Sequence, residues 1–172
     1  MNTKLSKVLV PIDGSAFSLQ ILPHIMELLP PAKTELVVLR VEPMPALLEL
    51  GGRDDPELTI YADQQAASLE AEFQTEMIPR VETLEQAGFT VSLSMRFGDA
   101  AEEIERYVVE EGVDMVAMTT HGRTGLDRML FGSVAQYLLQ HVQVPLLLYR
   151  STSSAKQKKD LPSDAPVERV AV

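Results

Sequence analysis

Gly122, Gly125 and Gly132 are interleaved with Arg123 and Arg128 in the stretch MTTHGRTGLDRMLFGS, residues 118–133, which follows directly on an apolar run. An ordinary loop needs one or two glycines. This longer, locally basic series, set in a chain of net charge −10, points to backbone laid against an anion. Without a Cβ nearby, successive N–H groups can close around phosphate oxygens. Gly132-Ser133 opens a helix, whose positive end adds about 0.3–1 kcal/mol per exposed interaction with an anion. Arg123 and Arg128 are candidates for direct phosphate contact. A second candidate group is the DGS that follows the first apolar run, where Asp13 could bond a base or a ribose. Each feature also has a purely structural reading. Ser133 and Gln136 satisfy the S-x-x-Q capping box without a ligand, and Gly122 and Gly125 could serve left-handed turns. The arginines could be solvated, and Asp13 could cap a turn or helix.

What the chain lacks narrows the chemistry. It has no cysteine, which removes disulfides, thiol catalysis and cysteine-ligated metal centres. No carboxylate spacing joins His24 and His141 into a metal site, and His121 reads as a turn residue. A dinucleotide fingerprint G-x-G-x-x-G is missing after the first apolar run, and a P-loop occurs nowhere. The acidic balance argues against DNA or RNA as partner, since such binders present a basic face that displaces counterions from phosphate. The N-terminal apolar run stops at Pro11 and Asp13, too short for a secretory signal or membrane span, so a soluble cytoplasmic protein is expected.

The elements that must position these residues alternate in type. KVLVPID (7–13), TELVVLRVEP (34–43), VDMVAMT (113–119) and VPLLLYR (144–150) are short, β-branched or leucine-rich runs of the kind buried on both sheet faces. FTVSLSMRF (89–97) alternates apolar and polar residues and suits a sheet edge. Between them the spacing predicts four helices. The first is capped by Ser15 and kinked at Pro23. The second is a long polar helix from about Leu58 to Gln86, interrupted at Pro79 and stopped by Gly88. The third has Asp99 as N-cap and a stripe of Ala101, Ile104, Tyr107 and Val108. The fourth covers residues 133–142. Five strands alternating with helices imply an α/β fold, a parallel sheet with helices on both faces. If the strand order is 3-2-1-4-5, it reverses between the first and fourth strands, and Asp13 and the glycine segment line one crevice. One domain over residues 1–150 and a flexible tail over 151–172 follow from composition, the tail being rich in Ser, Lys and Pro and without periodicity.

KVLVPIDGS, GDAAEEI, VDMVAMTTHGRTGLDRMLFGSVAQYLL and the closing VPLLLYR together resemble the universal stress protein family over residues 7–150. The resemblance implies a Rossmann-like five-stranded sheet of order 3-2-1-4-5. In one branch of the family it also implies ATP binding through G-x2-G-x9-G-[ST]. Gly122, Gly132 and Ser133 match that motif, whereas Thr119 stands at its first glycine. A threonine there is compatible with extended backbone but not with positive φ. Carried over by position, the resemblance places Asp13 near adenosine and the backbone of Val41 at the adenine edge. It sets Gly122, Gly132, Ser133 and Val134 around the phosphates, with Mg2+ held by phosphate oxygens and water and by no protein ligand. It implies a homodimer through the last strand, residues 144–150, and a nucleotide-responsive regulatory or protective role rather than efficient catalysis. Two rivals are a family member that binds no nucleotide and acts as an interaction dimer, and an adenylating or ATP-pyrophosphatase domain, which tends to carry an SGG-like loop where this chain has DGSA.

Overall fold

The structure, a computed structural model, describes residues 6–44, 56–121 and 132–151. Strands β1 (Ser6–Ile12), β2 (Thr34–Glu42), β3 (Thr90–Phe97), β4 (Met115–His121) and β5 (Leu146–Ser151) alternate with helices α1 (Ile21–Leu28), α2 (Pro56–Gln86), α3 (Ala100–Glu110) and α4 (Ser133–His141). The strands form one sheet in the order β3-β2-β1-β4-β5, with every pairing parallel. The alternating strand is at the edge, as its pattern requires.

Because successive strand residues face opposite sides, β1 divides its apolar run between two cores. Val8, Val10 and Ile12 pack with Ile21 and Ile25 of α1 and with Phe73, Met77 and Leu84 of α2. Leu9 packs with Val37, Leu39 and Val116, covered by Ile104, Tyr107 and Val108 of α3 and Ala135 and Leu138 of α4. Each fully buried aliphatic side chain contributes roughly 1.5–3 kcal/mol. Cover on both sides explains why the three inner strands, β2, β1 and β4, carry no polar alternation, whereas β5, read as buried on both faces, is an edge strand whose Leu146–Tyr149 are only half-buried.

Three helix details depart from expectation. Ser15 Oγ accepts from the amide of Ser18 at 3.1 Å, but Ser18 begins a 3-10 turn, Ser18–Gln20, whose N-cap is Phe17, and α1 proper starts at Ile21. Pro23 therefore falls in the first turn, where a backbone N–H has no intrahelical acceptor, and no kink is needed to accommodate it. Second, α2 runs unbroken through Pro79. Phe73 and Met77 before the proline and Leu84 after it lie on one buried stripe, and that packing carries the helix past a single missing hydrogen bond. Third, Ser133 is not the cap of α4, as described below. Gly88 ends the second helix region as expected: with φ of +95° it lets the Phe89 amide reach back to the Leu84 carbonyl at 3.1 Å, a Schellman closure. Asp99 caps α3, its Oδ1 accepting from Ala101 and Glu102 at 2.9 and 3.2 Å. Beyond Ser151, which completes β5, the stretch read as a tail lies outside the described residues. Among the described residues no helix is long and apolar enough to cross a membrane.

Candidate functional site

The pairing of β1 changes from one neighbour to the other. With β2 it runs through seven positions, Ser6↔Thr34 to Ile12↔Arg40, but with β4 it is limited to Val8↔Met115 and Leu9↔Val116. Past Leu9 the two central strands are no longer joined, and a cleft of about 280 Å³ lies at their carboxyl ends. Asp13, Val41, Thr119, Gly132, Ser133 and Val134 all line it. Its apolar wall includes Leu39, Ile104 and Met118, so a flat hydrophobic group and a polar one can be accommodated side by side. Gly122, Arg123, Gly125 and Arg128 lie outside the described residues.

At the start of α4 the N-cap is Gly132, with φ −64° and ψ 162°, and among the described residues no side chain caps the helix. The Gly132 carbonyl accepts from Gln136 at 2.9 Å, which makes Ser133 the first helical residue and removes the capping-box reading of Ser133 with Gln136. Glycine at this position leaves the amides of the first turn, at Val134 and Ala135, without the oxygen that a Ser or Asp cap would supply. Both residues line the cleft.

Opposite stands Asp13. Its Oδ1 accepts from the Ser15 amide at 3.0 Å and the Ser15 hydroxyl at 2.6 Å, an Asx-turn that fixes the carboxylate at the end of β1. Partial burial pushes its pKa up, but the hydrogen bonds from the Ser15 and Ser18 side chains and from the amides of Ser15 and Asp13 outweigh it. The carboxyl is held below its ordinary value. The structural reading of Asp13 as a turn cap is thus correct as far as it goes, and the residue still lies on the cleft wall. Val41 sits one residue past Arg40, the last β2 residue paired with β1, and pairs with Arg96 on β3.

Thr119 belongs to β4, paired with Tyr149, so its backbone is extended and the departure from glycine is sterically free. Its buried hydroxyl donates to the Ser18 carbonyl at 3.2 Å. That bond spans the gap left by the unpaired ends of β1 and β4. Ser18 itself, buried on the cleft wall, accepts from the Asp13 amide at 3.3 Å and donates to the Ser15 carbonyl at 3.0 Å. Sequence reasoning missed Ser18, although the S-x-x-S of SAFS following Asp13 carried the signal of a serine-capped turn. Among the described residues no group of three or more His, Cys, Asp or Glu side chains could hold a metal ion.

The family model described as Universal stress protein family matches residues 4–150. Universal stress protein MJ0531 of Methanocaldococcus jannaschii is 27% identical over 145 residues, covering 84% of this chain and 81% of its own. MJ0577 of the same organism is 26% identical over 163 residues, covering 90% of this chain and all of its own. The solved structure of MJ0577 superposes with a TM-score of 0.68 over 87% of this chain and 98% of that one. A universal stress protein family protein from Arabidopsis thaliana, solved with AMP bound, shares the fold at 16% identity, with a TM-score of 0.59 over 86% of this chain and 93% of its own. With the family model spanning nearly the whole sheet and its helices, this chain belongs to the universal stress protein family.

Proposed function

We propose that the cleft binds an adenine nucleotide, ATP in the first instance, and that the protein is a nucleotide-responsive regulatory or protective homodimer. The observation that carries this reading is the glycine N-cap of α4. A helix that starts on a cleft wall, with a glycine at its cap and no side-chain oxygen among the described residues for its first-turn amides, offers those amides to an anion. The apolar wall of Leu39, Ile104 and Met118 suits a purine, and Asp13 and the Val41 backbone provide polar partners for the nucleoside. The family motif assigns Gly122 to the phosphates, and Arg123, beside it in the sequence, is a candidate for phosphate contact by its charge. Magnesium would be carried by phosphate oxygens and water. The AMP complex of the Arabidopsis relative supports the class of ligand.

The dimer reading rests on β5. It is the last strand of the sheet, and Leu146, Leu147, Leu148 and Tyr149 are only half-buried within one chain. An apolar open edge invites pairing, and a two-fold antiparallel pairing with a second copy would close it.

The experiment is a thermal-shift series with ATP, ADP and AMP, followed by calorimetric titration. A ligand at 100 times its Kd stabilises the folded state by about 2.7 kcal/mol, which for a chain of this size moves Tm by several degrees. No shift with any of the three at millimolar concentration would overturn nucleotide binding and leave the interaction dimer as the better account.

A further inference from the structure

Arg40 lies outside the cleft lining, yet its side chain closes on the turn that carries Asp13. It faces α2, whereas its neighbour Val41 lines the cleft, as alternation along β2 requires. Nε donates to Glu42 Oε1 at 2.7 Å and Nη1 donates to Glu76 Oε2 on α2 at 3.0 Å. The guanidinium also stands 5.8 Å from the centroid of the Phe73 ring. An arginine held by two carboxylates and an aromatic face has its planar fork oriented, unlike an arginine in solvent.

The fork lies against Gly14. A Cβ built at that residue would stand 2.6 Å from Nη2 and 2.9 Å from Cζ of Arg40, so the guanidinium occupies the space a side chain would need. The φ of Gly14 is +77°, which independently favours glycine. From the other side the same turn is anchored by the Thr119 hydroxyl through the Ser18 carbonyl. The Asp13–Ser15 turn is therefore held between side chains from β2 and β4.

We propose that Arg40 is a positioning residue of the cleft: fixed by Glu42 and Glu76, it braces the backbone at Gly14 and holds the Asp13 carboxylate toward the ligand. The identity of the ligand rests on the nucleotide reading above; the brace is a property of the chain alone. Arg40→Lys keeps the charge and removes the fork. Glu76→Gln releases one end of the fork, leaves β2 untouched, and keeps the test open should the lysine variant fail to fold.

The test joins amide hydrogen exchange of the ligand-free chain to calorimetry with ATP. In both variants the amides of Ser15 and Ser18, which bond within the turn, should exchange about tenfold faster, as expected for loss of one charge-assisted contact. Val10 and Val38 in the centre of the sheet should keep their wild-type rates, and the Kd for ATP should rise by a similar factor. Unchanged exchange at Ser15 and Ser18 overturns the brace. Faster exchange with unchanged ATP affinity overturns the positioning role, that Arg40 holds the Asp13 carboxylate toward the ligand. If the wild-type chain binds no ATP, it is the nucleotide reading that fails, and the exchange rates alone decide whether Arg40 holds the turn.

Discussion

Replacing Gly132 by aspartate should move stability and binding in opposite directions. The φ and ψ of Gly132, −64° and 162°, are open to any residue, so an aspartate there meets no backbone strain. Its carboxylate becomes the missing cap of α4 and accepts from the first-turn amides of Val134 and Ala135. Exchanging a glycine cap for aspartate is worth a few tenths of a kcal/mol, and a negative charge at the helix start adds about 0.3–1 kcal/mol. For a chain of this length that raises Tm by about 1–4 °C. The same carboxylate takes the donors assigned to the phosphates. Hydrogen bonds to charged groups contribute about 1.5–3 kcal/mol each, so losing two weakens ATP by a factor on the order of 10² to 10⁴, before any charge repulsion. Gly132→Asn separates the two effects, since it captures the amides without the charge. Differential scanning calorimetry of the ligand-free chains and isothermal titration with ATP give both quantities. Wild-type affinity in the aspartate variant would refute the assignment of these amides to the ligand. A fall in Tm together with lost binding would mean that the substitution damaged the fold and that the cap geometry had been misread.

Other consequences can be checked separately. Thr119→Val keeps the shape of the side chain and strips the Ser18 carbonyl of its donor; the chain should lose about 1–3 kcal/mol in urea denaturation, and an unchanged midpoint would show that the bond across the gap contributes nothing. Asp13 has a folded-state pKa below the 3.8 of the unfolded chain, so its contribution is fully present above 3.8 and is lost as pH falls through the folded value. The stability deficit of Asp13→Asn should accordingly shrink on acidification, and a deficit that grows there would contradict the hydrogen-bonded turn. The Tyr137 hydroxyl donates to Glu105 at 2.7 Å, which raises its pKa above 10.0; Glu105→Gln should bring the titration of that tyrosine, followed by absorbance, back toward the ordinary value. Light scattering after gel filtration should give twice the 19.0 kDa of one chain, and a monomeric mass would remove the proposed pairing through β5.

The parts of the fold that could be read from sequence were those with a local cause. The inner strands, buried on both faces, show as unbroken apolar runs, the β3 edge shows as alternation, and Asp99 and Gly88 mark helix ends by chemistry that acts within a few residues; the β5 edge, apolar yet half-buried, read like an inner strand. The errors arose where two local signals competed and tertiary packing decided. The sequence GSVAQ offers both glycine and serine as a cap, and the chain uses the glycine. Pro79 should stop a helix in isolation, but the apolar stripe from Phe73 to Leu84 binds it to the sheet. The cleft was legible only in outline, because its polar scaffold depends on contacts between distant segments: Thr119 with Ser18 across 101 residues, and Arg40 with Glu76 across 36. Thr119 illustrates the limit well. Read as a motif position it is a defect in a glycine pattern, but in the folded chain it supplies the hydroxyl that ties β4 to the turn carrying Asp13. A threonine at the first glycine position of the motif is thus sterically compatible with the extended strand, and its hydroxyl adds a tie that a glycine could not make.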